Sequence, residues 1–228
     1  MLRRWRAVGA ALLVSLVAAP TWAGGWPAPA DVTAWVGSES SERFQVSETG
    51  DLSGRGTTDW AGVVRRASAD VGADQLGGWQ VVVFLQQPDG HYRLAVQSPP
   101  FSFNCGTSRC WMENLRIARR SVFVEWKLHW HNQFSTATLQ FQARDGGWPV
   151  IGRRDEVSDD PDDGSPSWQQ TVDVDRLTGQ AIVTCKMDHR AKRTTRSKLP
   201  YPRTDLADFS DWFYEDSYEK LPGRCPGH

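Results

Sequence analysis

The chain has 228 residues and carries 26 basic and 27 acidic side chains, which gives a formal net charge of −1 with neutral histidines. This balance excludes the strongly basic surface that is typical of nucleic-acid-binding domains. The length suits one domain, or one domain with a small appendage.

The N-terminus has the pattern of a secretory signal peptide. Three arginines lie among the first six residues, an apolar run occupies residues 7–19, and a small-residue cleavage site ends at Ala23. The apolar run is too short to span a membrane. We therefore predict a signal peptide at residues 1–23 and a periplasmic or secreted mature chain without a membrane span. Loss of the three arginines changes the net charge from −1 to −4.

The chain contains four cysteines: Cys105, Cys110, Cys185 and Cys225. An even number of cysteines in an exported chain predicts two disulfides. Proximity along the sequence favours Cys105–Cys110 and Cys185–Cys225, but three pairings are possible and the sequence does not decide between them. A bridge to Cys225 would tie the C-terminal tail, residues 201–228, back to the body of the protein.

The mature chain begins with residues 24–41, whose Gly, Pro and Ala content favours a flexible leader with a short helical turn at residues 31–36. Phe44 and Val46 then alternate with polar residues, which predicts a half-buried strand. After a glycine-rich loop, residues 59–66 are a second strand candidate.

The clearest hairpin lies between residues 79 and 96. Residues 79–86 are β-branched, aromatic and almost continuously apolar, as in a central strand. The Pro-Asp-Gly sequence at 88–90 favours a turn, because proline presets φ, aspartate bonds its local backbone and glycine accepts positive φ. Apolar and polar residues then alternate over 92–96, which predicts the returning strand.

Strict period-two alternation over residues 121–131 is the strongest single strand signal. One face carries apolar side chains and the opposite face carries Glu125, Lys127, His129 and His131. The two histidines and Glu125 share a face, which is compatible with part of a metal site, although a solvated polar face is the alternative. Shorter patterns at 115–117 and 137–143 predict further strands.

The second half of the chain alternates between strands and polar stretches. Residues 156–167 are acidic and contain prolines, which predicts a solvated loop. Residues 171–174 and 181–185 flank a Leu-Thr-Gly turn and predict a hairpin. In the tail, the apolar spacing over 205–218 predicts a short amphipathic helix.

These segments predict an all-β antiparallel fold, sandwich or barrel-like, in a single β-rich domain at residues 42–200 with a short C-terminal helix. The chain shows no βαβ alternation and no sustained internal repeat. A Gly-x-Ser-x-Gly nucleophile elbow is also absent from the sequence. We therefore expect a protein that acts by binding and not as an enzyme.

The glycine-rich loop at residues 50–59 has the outline of a Ca²⁺ site. Asp51, Ser53 and Asp59 offer oxygen ligands, and two glycines allow the tight turn that a cation loop needs. Arg55 stands where a further acidic ligand is expected, and a guanidinium supplies no lone pair. The alternative is that Asp51 and Asp59 accept hydrogen bonds from turn amides, with Arg55 as a built-in counterion.

This loop also carries a family resemblance. Residues 50–60, Gly-Asp-Leu-Ser-Gly-Arg-Gly-Thr-Thr-Asp-Trp, resemble the FG-GAP-type loop of exported bacterial proteins, whose usual form has Asn or Asp where this chain has Ser53 and Arg55. Together with residues 82–94, 148–153 and 177–179, the loop is similar to a group of uncharacterised exported Gram-negative proteins. The likeness is discontinuous over residues 42–185.

Some members of that broader group are immunity proteins for lysozyme-like effectors, with a fold like that of periplasmic lysozyme inhibitors. The resemblance therefore implies an exported β-rich domain that inhibits a cell-wall hydrolase. No segment matches an inhibitory loop, so the resemblance assigns no inhibitory residues.

The acidic stretch suggests how such a partner would be recruited. Asp159, Asp160, Asp162 and Asp163 form its most charged part. Lysozyme-like enzymes are often basic, so these carboxylates would steer a basic exported protein towards the chain. A soluble loop is the alternative. The second function class is a calcium-stabilised structural or adhesion-type module without catalysis.

Overall fold

The computed structural model describes residues 28–37, 43–65, 78–101, 104–105, 108–130, 133–159, 167–187, 191–198 and 203–210. Among these residues the chain is built almost entirely from antiparallel strands, so the predicted all-β antiparallel class is confirmed. The sheets are not closed into a barrel. None of the described helices is long and apolar enough to cross a membrane.

Two meandering sheets make up the fold. The smaller sheet has the order β1-β2-β3-β4 and the larger has the order β12-β11-β10-β9-β8-β7-β6-β5. The strands of the smaller sheet are β1 Phe44–Gly50, β2 Asp59–Arg65, β3 Trp79–Gln86 and β4 Tyr92–Gln97. Those of the larger sheet are β5 Asn104–Cys105, β6 Ser108–Ala118, β7 Ser121–Trp130, β8 Gln133–Gln142, β9 Val150–Asp159, β10 Trp168–Asp175, β11 Gln180–Met187 and β12 Ala191–Lys198.

One apolar cluster joins the two sheets. Ala61 and Val83 from the smaller sheet and Val124, Trp126 and Leu139 from the larger sheet belong to this cluster and are almost completely buried. The period-two pattern of β7 explains the arrangement, because Val122, Val124 and Trp126 face the core and Phe123, Glu125 and Lys127 face away. Burial of a side chain as large as Val or Leu stabilises the fold by about 1.5–3 kcal/mol.

The opposite face of the smaller sheet is covered by α1, Ala30–Val36. Val32 and Val36 are fully buried against Trp60 and Phe84, because residues four apart lie on the same side of a helix. The helix ends at Gly37, which has a left-handed φ of 81°. The predicted helical turn at 31–36 is confirmed and begins one residue earlier, at Ala30, so the flexible leader predicted at 24–41 does not extend over this helix.

The C-terminal segment is only partly described. A 3₁₀ helix, Leu206–Asp208, begins after Asp205, whose side chain accepts a hydrogen bond from the Ala207 N–H. Leu206 and Phe209 are buried in the cluster between the sheets. The predicted amphipathic helix over 205–218 is reduced to this turn within the described part, and residues 211–228 lie outside it.

Candidate functional site

Asp59, at the start of β2, is the centre of the glycine-rich loop and is fully buried. One carboxylate oxygen accepts hydrogen bonds from the N–H groups of Leu52 and Ser53, both at 2.9 Å. The other accepts from the Gln86 N–H at 2.9 Å and from the Thr57 hydroxyl at 3.1 Å. The Asp59 carboxylate thus uses four acceptor positions to close the loop and dock it on β3.

Asp51 folds the tip of the loop. Its carboxylate accepts hydrogen bonds from the Gly54 N–H at 2.6 Å and the Gly56 N–H at 3.1 Å, and both glycines have a positive φ of 74°. Desolvation acts to raise the pKa of Asp51, but these amide hydrogen bonds and that of Ser53 outweigh it and lower the pKa overall. The ionised carboxylate therefore holds a backbone turn.

Arg55 does not neutralise either carboxylate. Its guanidinium donates to the Gln86 carbonyl oxygen at 3.0 Å, which ties the loop tip to β3 a second time. The interpretation that Asp51 and Asp59 accept bonds from turn amides agrees with this geometry, whereas the counterion role of Arg55 does not.

The predicted Ca²⁺ ligands Asp51, Ser53 and Asp59 do lie in one loop. Their carboxylate oxygens, however, face N–H and hydroxyl donors, which a cation would have to displace. Nowhere in the described residues do three or more His, Cys, Asp or Glu side chains gather as a metal site would require. This donor arrangement does not fit Ca²⁺.

The acidic stretch is partly strand, and the prediction of a loop at 156–167 is wrong for residues 156–159, which end β9. Asp155 is buried and accepts three hydrogen bonds, at 2.9–3.1 Å, from the guanidinium of Arg153. Glu156 accepts a hydrogen bond from Gln169. Composition misled here because residues 156–159 are held by backbone pairing with β8 and β10, which does not depend on apolar side chains.

Of the predicted partner-binding carboxylates, Asp159 is the last residue of β9. Asp160, Asp162 and Asp163 lie outside the described residues. The proposed steering role of these four residues therefore stays a prediction.

The cysteine predictions are also only partly covered. Cys110 on β6 and Cys185 on β11 are both disulfide-bonded, and no cysteine in the described part of the chain is free. Cys105 is the last residue of β5, and Cys225 lies outside the described residues. The pairing stays a prediction.

The outward side of the larger sheet, from β6 to β12, forms a continuous surface that we call the polar face. Cross-strand partners lie on the same side of a sheet, so the register orders its side chains into rows. The first two rows contain Arg116, Phe123, Gln140, Gly152, Asp175 and Gln180, and then Glu125, Thr138, Arg154, Asp173, Ile182 and Arg196. The next two contain Trp111, Lys127, Thr136, Glu156, Thr171 and Thr184, and then His129, Phe134, Ser158, Gln169 and Lys186.

One end of the polar face carries an aromatic patch, formed by Trp111, His129 and Phe134. The Phe134 ring is stacked on His129, with centroids 4.4 Å apart, and the residue is 51% exposed. Trp111 donates from its indole nitrogen to Glu113 at 2.6 Å, and Lys127 donates to the same carboxylate at 2.9 Å. The hydrogen bond from Lys127, and to a smaller extent that from Trp111, lowers the pKa of Glu113.

The predicted metal-compatible face of β7 does not form a compact ligand set. His129 and Glu125 are four residues apart on one strand, which places them about 13 Å apart. His131 lies outside the described residues. His129 is occupied instead by the Phe134 ring.

From β6 to β11, the first two rows of the polar face line a groove of about 400 Å³. At one end the Arg116 guanidinium lies over the Phe123 ring, 3.7 Å from its centroid. At the other end Asp175 and Gln180 line the groove. Its volume falls in the range of about 300–1,000 Å³ that is common for small-molecule sites.

Gly152 leaves the floor of this groove without a side chain. It lies opposite Gln140 on β8 and Asp175 on β10, next to a register shift at Gln140. A Cβ at this position would meet the Gln140 amide oxygen at 3.2 Å. A glycine inside a strand marks either a bulge or a close approach of another molecule.

Sequence reasoning missed the groove residues Arg116, Arg154, Asp173 and Asp175. The available signal was the period-two pattern of β7, which already separated Glu125 from the core. The same rule applied to β9 and β10 would have placed Arg154 and Asp173 beside it.

Comparisons of this chain with protein-family models, with curated proteins and with solved structures give no match. The resemblance to exported Gram-negative proteins therefore stays a prediction from the sequence.

Proposed function

We propose that this chain is an exported protein-binding module whose partner is a basic cell-wall hydrolase of the lysozyme type, so that it acts as an inhibitor or immunity protein. The observation that supports a binding role is the aromatic patch on the polar face. Phe134 and Leu177 are the only large hydrophobic residues among those described that are clearly exposed. Interface hot spots are enriched in such aromatic anchors.

The surroundings of the patch also suit an interface. Phe134 is held in place by His129, so a partner would meet a ring that has already lost its rotational freedom. Trp111 and Lys127 are fixed by Glu113, which gives a polar rim next to the rings. A central aromatic anchor with a polar rim is the usual composition of a protein interface.

The size of the polar face is adequate. Six strand spacings separate β6 from β12, and four rows of side chains run along the strands, so the flat area is on the order of 600 Å². Side-chain relief adds to this area. A standard interface buries about 800 Å² per partner, which is close to what this face offers.

The charge of the chain favours a basic partner. The mature chain would carry a net charge of −4, because the signal peptide removes three arginines and no acidic residue. A net negative surface raises the association rate with a basic protein at low ionic strength. Calcium-stabilised adhesion, the other function class, gains no support from the loop around Asp59.

The test measures inhibition and binding together. The mature protein is added to lysozyme-type muramidases acting on a peptidoglycan suspension, and binding is followed by calorimetry. Phe134→Asp should weaken binding at least about tenfold, the effect of losing one anchor. Leu177→Asp is the matched control, because Leu177 is equally exposed at 52% but lies in the β10–β11 turn. No inhibition and no binding to any muramidase, or equal loss in both variants, would refute the proposal.

A further inference from the structure

We infer that the groove in the first two rows of the polar face binds a neutral oligosaccharide. The groove lies on the same polar face as the proposed protein interface but does not include the aromatic patch, and the inference does not depend on the protein partner. The inference rests on three features: unused polar groups, balanced charge, and a floor position without a side chain at Gly152.

The groove holds polar groups that the fold does not use. The carboxylate of Glu125 makes no hydrogen bond or ion pair with any described residue, and the only contact of the Arg116 side chain among these residues is its stack on Phe123. Gln140 donates to Ser121 at 3.0 Å and keeps its amide oxygen available to the groove. Such groups have donors and acceptors available for a ligand.

The charges in the groove alternate along the sheet. In the second row the charges of Glu125, Arg154, Asp173 and Arg196 alternate in sign, with Thr138 and Ile182 among them. The Arg154 guanidinium lies 3.6 Å from Asp173. This alternation cancels the field that would attract a phosphate or another strongly charged ligand. A sugar hydroxyl both donates and accepts, so it is satisfied by a guanidinium on one side and a carboxylate on the other.

The groove also offers limited apolar contact. Phe123 and Ile182 lie among its polar groups and would face the C–H side of a pyranose ring. The polar groups outnumber these two residues, which disfavours a lipid or another apolar ligand. Planar carboxylate, amide and guanidinium groups next to a flat apolar face match the alternating polar and apolar sides of a saccharide.

Gly152 provides room for a ligand in the groove because it has no side chain. A valine at this position would fill the floor, and the nearest atom to its Cβ is the flexible end of Gln140. The φ of Gly152 is not in the left-handed region, so a β-branched residue is compatible with the strand. Gly152→Val therefore distinguishes two reasons for a glycine at this position. Either the backbone requires it at a bulge, or it leaves room for a ligand.

The experiment titrates the mature protein with the neutral tetrasaccharides cellotetraose and chitotetraose, and with a sulfated tetrasaccharide as the charged comparison, followed by NMR. We expect saturable binding of at least one neutral tetrasaccharide and weaker binding of the sulfated one. Glu125→Gln and Arg116→Ala should each weaken binding about tenfold, as expected for loss of a hydrogen bond to a charged group.

Gly152→Val is expected to melt at or above the wild-type temperature and to lose the binding. Phe134→Ala, on the aromatic patch, is the control and should bind the saccharide as the wild type does. Three results would overturn the inference: no neutral saccharide binds at millimolar concentration, the sulfated one binds best, or Glu125→Gln and Arg116→Ala bind normally. A Gly152→Val protein that melts lower and still binds would assign this glycine to the bulge and also overturn the inference. Failure of muramidase inhibition would leave these measurements unaffected.

Discussion

The buried carboxylate of Asp59 should be the most sensitive position in the glycine-rich loop. Asp59→Ala removes four hydrogen bonds and leaves three backbone donors, those of Leu52, Ser53 and Gln86, without their acceptor. The Leu52 bond is buried and the other two are partly buried. An unsatisfied buried donor costs about 1–3 kcal/mol, so we expect a loss of about 3–5 kcal/mol in the free energy of unfolding. Small domains have about 5–15 kcal/mol in total.

Asp59→Asn gives an intermediate case. The amide keeps one oxygen, which can still accept from Leu52 and Ser53, while its NH₂ group can donate to the Thr57 hydroxyl. The Gln86 N–H is then left facing a donor, so we expect a loss of about 1–3 kcal/mol. The free energy of unfolding should therefore fall from the wild type to Asp59→Asn and further to Asp59→Ala, because fewer acceptor positions remain at each step.

The assay is urea unfolding followed by tryptophan fluorescence, with the free energies obtained by linear extrapolation. Asp89→Ala is the matched control, because Asp89 accepts one amide hydrogen bond in the exposed β3–β4 turn, and it should change stability by less than about 0.5 kcal/mol. A second arm adds millimolar Ca²⁺ or EDTA to the wild type. The reasoning fails if the free energy of unfolding of Asp59→Ala lies within about 1 kcal/mol of the wild-type value, since a loss that small is typical of ordinary substitutions and not of a buried hydrogen-bond network. It also fails if Ca²⁺ raises the melting temperature.

Two further positions test the electrostatics of the fold. Asp155→Ala removes the carboxylate that accepts three hydrogen bonds from the buried Arg153 guanidinium and should destabilise the protein by about 3–5 kcal/mol. Arg153→Met combined with Asp155→Leu should recover most of that loss in the same urea assay, and equal losses would contradict this. The lowered pKa of Asp51 means that its stabilising contribution is complete above its ordinary value of 3.8 and is lost as the pH falls through the lowered pKa. Asp51→Asn should therefore flatten the decline in urea midpoint below about pH 4, and an unchanged decline would assign that decline to other carboxylates.

Strands with clear periodicity could be predicted from the sequence. The alternation over 121–131 predicted β7 with the correct inward and outward faces, and residues 79–86 correspond to β3 without any shift. In both cases the pattern and the observed burial agree because one face, or both faces, of the strand pack against apolar side chains. In these two segments the amino-acid composition and the hydrophobic periodicity both predict a strand.

The secondary-structure predictions were wrong or missing where the amino-acid composition did not indicate the strand that forms. The acidic composition of residues 156–167 suggests a solvated loop, but residues 156–159 end β9 because their backbones pair with β8 and β10. Strand β12 has no apolar alternation of its own, and its place is decided by the ladder with β11. The helical turn predicted at 31–36 corresponds to α1, but its packing against Trp60 and Phe84 could not be predicted, because these residues lie on distant strands.

The groove could not be predicted from one segment because its residues come from six strands. Arg116, Gly152 and Gln180 are separated by long stretches of sequence and come to lie in one row only through the register of the larger sheet. Asp51 and Asp59, in contrast, lie close in sequence and were found at once, yet their oxygens are used to build a turn.

The distinction between used and unused polar groups decides where function is to be sought. The carboxylates of Asp59 and Asp155 are satisfied within the fold, so their roles are explained by stability. The stability of the fold gives no comparable reason for a Glu125 without a partner among the described residues, or for a Phe134 ring that is half exposed on the polar face. An exposed aromatic ring such as Phe134 carries a risk of unwanted association with other molecules. A glycine inside a strand, such as Gly152 in β9, weakens that strand. Glu125, Phe134 and Gly152 all lie on the polar face of the larger sheet. Together they favour this face, and not the glycine-rich loop, as the surface through which the protein acts.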